Sequence, residues 1–452
     1  MSQLKSFGDF QNWVRPSAAN RAFYSPELDA YLDEISQLIS NPEIRRLFIN
    51  TFANTLDTTA YNYIREGKNH TYIITGDIEA MWLRDSTAQV WHYLPLAKKS
   101  KDIEKLLIGL IGNQVRCILL DPYANAFYDE EKLGYHASDK TAMLAGVHER
   151  KWELDSLIYP IALAIELWNI TKDSEAFDAT WLGSIALIIS TLKIQQRLNG
   201  HGPYFFDRET SNPIDTLSNN GNGPAYKPTG MVASSFRASD DACMYPFNIP
   251  ENLFALKTLK SLIVLFNELQ ITSLIEPTLE LIEEISSGLD IYGLIDHPVF
   301  GEIYAYEVDG LGNYVCMDDA NVPNLLSLPF LGVCAVSDET YQATRGYILS
   351  PDNPYYFSGS VGSGIGSPHT GDGTIWPISL IIQASTSNND QEILDCLRVL
   401  IKSSAGTGLL HESFNVDDAT DYTRPWFAWC NSLFGGLIAR LVNERPGLLD
   451  QI

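Results

Sequence analysis

Two acidic stretches carry residue types suited to proton transfer. In "FRASDDACMYPFNIPEN", Asp240 and Asp241 are adjacent, and a second negative charge beside a first raises the proton affinity of one carboxyl, which suits a general acid. In "GLLHESFN", Glu412 is the acidic residue of an otherwise apolar neighbourhood and suits a base. Cleavage of a glycosidic bond needs such a pair, one carboxyl protonated and one ionised. Other polar clusters recur along the chain. "GDIEAMWLRDSTAQVW" holds Trp82, Arg84 and Asp85; "GVHERKWELDSLIYP" holds His148, Glu149, Trp152 and Asp155; Arg237 precedes the aspartate pair. "CMDDANVPNLLSLPF" adds Asp318, Asp319 and Asn321, "GSPHTGDGTIWP" adds His369, Asp372 and Trp376, and His411 adjoins Glu412. Aromatic faces stack on sugar C–H groups, while carboxylates and guanidinium hold hydroxyls, so this composition points to a carbohydrate ligand.

Each residue also has a plainer reading. Asp77, Asp240, Asp319 and Asn321 could cap helices. Trp82, Trp91, Trp152 and Trp376 fit a core, His148, His369 and His411 fit hydrogen-bonded interior positions, and Arg84 with Asp85 fits a structural ion pair. The repetition of mixed polar and aromatic clusters is what these single-residue readings leave unexplained.

Helices must position the clusters. Apolar periodicity and start signals predict helices over 26–40, 42–56, 79–96, 101–119, 152–170, 174–197, 249–269, 272–288, 321–330, 337–347, 375–386, 390–403 and 426–442. Ser25 and Asn41 are placed to cap, with Pro26 and Pro42 in the first helical position. Brief turns alternate with long connections at 57–78, 120–151, 198–248, 289–320, 348–374 and 404–425, and these hold or border nearly all the clusters. Antiparallel helices joined by a turn at one end and a long loop at the other send every long loop to the same end. Closing the row into a ring buries its inner helices, so the expected fold is all-α, an alpha/alpha toroid of six hairpins with long active-site loops on one end. Thirteen spans exceed the twelve of such a ring by one, so 26–40 is an accessory helix or one span is wrong. With no linker-like stretch, the expected organisation is one catalytic domain over 1–452, with 1–25 as an N-terminal extension.

A formal charge of −25 without a Lys/Arg run excludes a nucleic-acid partner or an anionic membrane surface. The start "MSQLKSFGDFQNW" lacks the apolar centre of a signal peptide, and nothing is long enough to span a bilayer, so the expectation is a soluble cytoplasmic protein. The six cysteines show neither C-x-x-C pairs nor zinc spacing and are expected to be buried thiols.

Taken together, "TGDIEAMWLRDSTAQVWHYLPL", "HERKWELDSLIYP", "FRASDDACMYPFNIPEN", "MDDANVPNLLSLPFL", "PHTGDGTIWPISL", "LLHESFN" and "RPWFAWCNSLFGGLI" resemble glycoside hydrolase family 125, in one order over nearly the whole chain. The resemblance implies an alpha/alpha toroid and an inverting exo-α-1,6-mannosidase that removes terminal non-reducing mannose from α-mannosides and N-glycan fragments. It implies no metal or other cofactor and an oligosaccharide as the partner. Carried onto matching positions, it makes Asp240 the acid and Glu412 the base, with Asp240 preferred to Asp241 by analogy with other toroid glycosidases. Trp82, Arg84, Asp85, Glu149, Asp155, Arg237, Asn321 and His369 become the expected sugar-binding residues. Glu79 and Ala238 stand where the pattern carries proline, which affects loop stiffness rather than chemistry.

Three other readings compete. A toroid glycosidase of another α-linkage or hexose would share these residues, since linkage discrimination depends on fine placement. A non-catalytic sugar-binding protein has no need of both carboxyls. An isoprenoid cyclase would want Asp-rich metal motifs, and "SDDAC" and "MDDAN" lack their third aspartate.

Overall fold

The computed structural model describes residues 12–452. The first part of the expected N-terminal extension therefore lies outside the described residues. Its remainder is tied down: Trp13 is buried with Leu409, Trp426 and Ala428, and Arg15 binds Asp57 and Asp29 at 2.7 and 2.6 Å.

Helices form where the capping chemistry is strongest. Ser25 accepts the Leu28 N–H ahead of Pro26–Gln37, and Asn41 accepts from Glu43 and Ile44 ahead of Pro42–Phe52. Asn389 does the same for Asp390–Ser403, whose buried Ile393, Leu394, Leu397 and Leu400 fall at helical spacing. Further long helices run over Lys101–Leu120, Leu154–Thr171, Ala179–Gln195, Ile249–Glu268, Ile275–Tyr292 and Ala428–Glu444. Among the described residues, no helix is long and apolar enough to cross a membrane.

Two predicted helices are not formed as such. The span 79–96 breaks into an extended pair at Met81–Trp82, a short helix Leu83–Ala88, a 3-10 turn Trp91–Tyr93 and the single turn Leu94–Ala97. Residues 80–90 are all buried, so there is no solvated face to enforce one helical period. The span 321–330 forms turns instead. Pro323 and Pro329 remove two donors, and Asp318 accepts the N–H groups of Leu325 and Leu326 at 2.8 and 3.0 Å. Asn324 and Ser327 bond reciprocally, so side chains replace the helical ladder.

Short strands occupy the long connections. Ala60–Arg65 pairs with Lys68–Ile73 across Glu66 and Gly67, both at positive φ (52° and 80°), a two-residue hairpin geometry that matches strand twist. Leu294–His297 pairs with Gly301–Tyr304. Three small ladders run through the quoted motifs: Ala126–Phe127 with Val147–Glu149, Phe247–Asn248 with Glu307–Val308, and Thr374–Ile375 with Ser413–Asn415 and Tyr422–Thr423.

The chain forms two compact units, one containing the sequence up to Asn113 with Glu166–Asp173 and Phe357–Ile452, the other Gln114–Ile165 and Ser174–Tyr356. In the first unit, Ala428–Glu444 approaches Pro42–Phe52 so closely that a Cβ on Gly435 would lie 2.5 Å from the Phe52 Cα. Backbone cannot yield as a side chain can, so Gly435→Ala is expected to cost about 1–3 kcal/mol. A lower urea midpoint at unchanged slope checks this.

Candidate active site

In the first unit, Glu412 is held at a strand edge. Ser413 and Phe414 pair with Thr423 and Tyr422, and Ile375 pairs with Phe414 on the other side. The preceding His411 is buried flat against Tyr422, with centroids 3.5 Å apart, and burial lowers its pKa. Asn431 accepts from Leu410 N at 3.0 Å and donates to Leu410 O, fixing this stretch to the helix Ala428–Glu444.

Arg424 organises the charges around Glu412. Its Nη1 meets Glu412 Oε1 at 3.2 Å, its Nε donates to Asp77 Oδ1 at 2.9 Å, and its Nη2 donates to Thr75 O at 3.0 Å. The guanidinium lies 4.8 Å from the Phe427 ring centroid. Burial disfavours its charge, but Glu412 and Asp77 outweigh that and raise its pKa. Asp77 therefore serves an arginine rather than a helix cap.

The opening cluster lies in the same unit. Arg84 and Asp85 are buried, 3.7 Å apart at Nε and Oδ2, too far for a tight ion pair. Thr75 donates to Asp85 Oδ1 at 2.7 Å, and the Arg84 guanidinium is 5.9 Å from the Trp429 ring centroid. Trp82 is buried beside them in sequence. His369 is exposed, edge-on to Trp376, in the turn leading to the strand that pairs with Phe414.

In the second unit, Asp240 sits at the tip of a tight turn. Arg237 N donates to Asp241 O at 2.7 Å, Asp240 N donates to Arg237 O at 2.9 Å, and Asp240 adopts a φ of 66°, unfavourable for a residue with a Cβ. Asp240 is half-buried, while Asp241 is buried. The two adjacent carboxyls thus differ in access.

Beneath Asp240 lies a compact set of charges. Lys151 Nζ donates to Asp240 O at 2.8 Å and to Asp215 Oδ1 at 2.7 Å, and is 3.6 Å from Glu149 Oε1. Arg208 Nη2 bonds Glu149 Oε1 at 2.8 Å and Asp139 Oδ2 at 2.6 Å. Asn125 Nδ2 lies 3.1 Å from Glu149 Oε2, 3.1 Å from Glu153 Oε1 and 3.2 Å from Asp240 Oδ1. Burial and Asp240 push the Glu149 carboxyl up, but Lys151, Arg208 and His136 outweigh both and hold it below the usual carboxylate range. Lys151 is raised despite burial because Glu149, Asp240 and Asp215 face it.

These two groups supply an acidic side chain on a strained, accessible turn and a second carboxylate held by an arginine. A profile of the metal-independent alpha-mannosidases (GH125) matches residues 41–439. The chain belongs to this glycoside hydrolase family. The Meiotically up-regulated gene 157 protein of Schizosaccharomyces pombe is 40% identical over 97% of this chain and 90% of its own length. A solved metal-independent alpha mannosidase from Streptococcus pneumoniae, in a non-productive complex with alpha-1,6-mannobiose, is 42% identical. It covers 93% of this chain and 100% of its own, with a TM-score of 0.90. A bacterial glucoamylase shares the fold at a TM-score of 0.57 and 13% identity, over 90% of this chain and 57% of that one.

The remaining expected sugar ligands of this α-mannosidase are deeply placed. Arg237 bonds Glu307 Oε1 at 2.6 Å and lies over Tyr306; Asn321 donates to Asp319 at 3.0 Å; Asp155 has no accessible surface. Trp152 is core, its indole N–H donating to Ala233 O at 2.7 Å, and His148 bonds the Tyr128 hydroxyl at 2.7 Å with its pKa lowered by burial to about 4. Sequence reasoning overlooked Asn125, Lys151, Arg208 and Arg424. Lys151 and Arg424 stood inside quoted motifs, but Lys151 lies between Arg150 and Trp152 and Arg424 between Thr423 and Pro425, so no local signal marked either. Among the described residues, no group of three or more His, Cys, Asp or Glu is placed to hold a metal ion.

Proposed function

We propose that this family member is an inverting, exo-acting α-1,6-mannosidase built as an alpha/alpha toroid with a single catalytic domain. The observations that support the reaction are an accessible Asp240 on a strained turn in one unit and an arginine-held Glu412 in the other. The linkage rests on the likeness to the pneumococcal enzyme solved with alpha-1,6-mannobiose. The toroid draws on the shared fold with the glucoamylase, and the single domain on a chain that passes between its two units four times, at 113, 165, 173 and 356. Six free thiols suit a reducing, cytoplasmic setting.

Asp240 donates its proton to the glycosidic oxygen, and the C1–O bond breaks as water attacks C1 from the opposite face. Glu412 takes the proton of that water. Arg424 fixes the rotamer of Glu412, so its carboxylate need not reorganise during the reaction. Arg84, Asp85 and Trp82 hold the terminal sugar, with His369 at its edge. Asp155, Arg237 and Asn321 are further candidates for sugar contact, Arg237 and Asn321 being about as buried as Arg84.

Proton NMR of α-1,6-mannobiose hydrolysis, run beside the α-1,2 and α-1,3 isomers, tests this reading. The expected first product is β-mannose from the α-1,6 isomer. Early α-mannose would refute inversion, and equal turnover of all isomers would refute the linkage.

A further inference from the structure

The loop from Thr75 to Ala80 stands between two parts of the candidate site in the first unit. Thr75 is buried, and its N–H donates to Ala80 O at 3.3 Å, which closes the loop. Its two oxygens serve different ends. The hydroxyl donates to Asp85 Oδ1 at 2.7 Å, with Asp85 Oδ2 on the side of Arg84, 3.7 Å from Nε. The carbonyl accepts Arg424 Nη2 at 3.0 Å, and the same guanidinium reaches Glu412 Oε1 through Nη1 at 3.2 Å. We infer that Thr75 is a positioning residue: with Arg424 as the joint, it sets the spacing between the sugar-binding carboxylate Asp85 and the base Glu412.

The joint is held from both sides. Arg424 adopts a φ of 54°, in the left-handed region that a residue with a Cβ rarely enters. Contacts of the Glu412 strand fix it there. His411 Nδ1 lies 3.1 Å from Arg424 O, Glu412 N donates to Thr423 O at 3.4 Å, and the guanidinium lies over the Phe427 ring. On the loop side, Asp77 Oδ1 accepts from Arg424 Nε at 2.9 Å. Gly76, at a φ of 105°, carries the chain past the arginine, and a Cβ there would lie 3.7 Å from Nη2. A planar guanidinium can thus take a loop carboxylate, a loop carbonyl and the base together, whereas the compact ammonium of a lysine cannot span all three. The bracket orders the sugar ligand and the base in one geometry before substrate arrives, which spares that cost during the reaction.

This bracket rests on the proposed roles of Asp85 as a sugar ligand and Glu412 as the base. Thr75→Val keeps the shape and the carbonyl but removes the donor to Asp85, while Thr75→Ser keeps the hydroxyl. Thr75→Val should raise KM for α-1,6-mannobiose, and Kd for its non-hydrolysable thio-linked analogue, about tenfold, the scale of one hydrogen bond to a charged group. Thr75→Ser should restore both. Arg424→Lys should lower kcat and also raise Kd, because Thr75 loses its anchor. In the double variant Thr75→Val/Arg424→Lys, the rise in Kd should be smaller than the product of the single rises, since both changes break the same bracket. Wild-type Kd in Thr75→Val, equal losses in Thr75→Val and Thr75→Ser, or single losses that multiply would each overturn the inference. If Thr75→Val does not fold, Arg424→Lys decides, and an unchanged Kd overturns it. Two controls separate this from the site reading: wild-type Kd in Asp85→Asn, or wild-type turnover in Glu412→Gln, would overturn the roles on which the bracket rests.

Discussion

Asp240→Asn is expected to lower kcat/KM for α-1,6-mannobiose by about 10²–10⁴-fold, the range general acid catalysis contributes. Asparagine keeps the size of the side chain and can still accept from Asn125, so the turn from Arg237 to Asp241 should survive. What disappears is the proton needed by a sugar alkoxide leaving group. A dinitrophenyl α-mannoside, whose leaving group needs no proton, should therefore lose far less than the disaccharide. Glu412→Gln should depress both substrates alike, because water activation is required whatever leaves. Equal losses on both substrates in Asp240→Asn would remove Asp240 from the acid role and return attention to the buried Asp241.

The contrast between Asp240 and Asp241 shows what the sequence could and could not convey. Adjacent carboxylates are visible in a string of letters; which one reaches solvent is decided by the φ of 66° and the hydrogen bonds closing the turn. Local signals read well. Ser25 with Pro26, and Asn41 with Pro42, start helices as their chemistry dictates, and the polar face of Asp390–Ser403 fixes its period. The hairpin at Glu66 and Gly67 was also legible, since "AYNYIREGKNHTYI" alternates around a glycine turn, but a reading by loop length passed over it. The span 79–96 was not legible, because burial on every side erases amphipathic contrast.

The candidate site residues divide along the same line. Arg84 and Glu412 announced themselves through apolar neighbours. Arg424 did not, because its meaning depends on Asp77, 347 positions away in the chain. Lys151 likewise acquires its role from Asp215 and Asp240, 64 and 89 residues distant. Partnerships of this range follow from tertiary folding, and no local spacing rule encodes them.

Arg237→Met should cost about 3–5 kcal/mol of stability, because it strands a buried carboxylate. Glu307 has no accessible surface, and besides Arg237 it accepts the N–H groups of Met244 and Tyr245 at 2.9 and 3.0 Å. Burial disfavours the arginine charge, yet Glu307 raises the Arg237 pKa well above its ordinary value, so the arginine stays charged. A methionine fills much of the volume while supplying no charge. The double variant Arg237→Met/Glu307→Gln should then be more stable than the single one, since a neutral amide tolerates the site better than an orphaned anion. The arginine backbone closes the turn that bears Asp240, so kcat should fall with stability while KM moves little. Urea midpoints of the three proteins, read beside KM for α-1,6-mannobiose, separate the two roles. A stable single variant with KM raised tenfold or more would make Arg237 a direct ligand of the sugar after all.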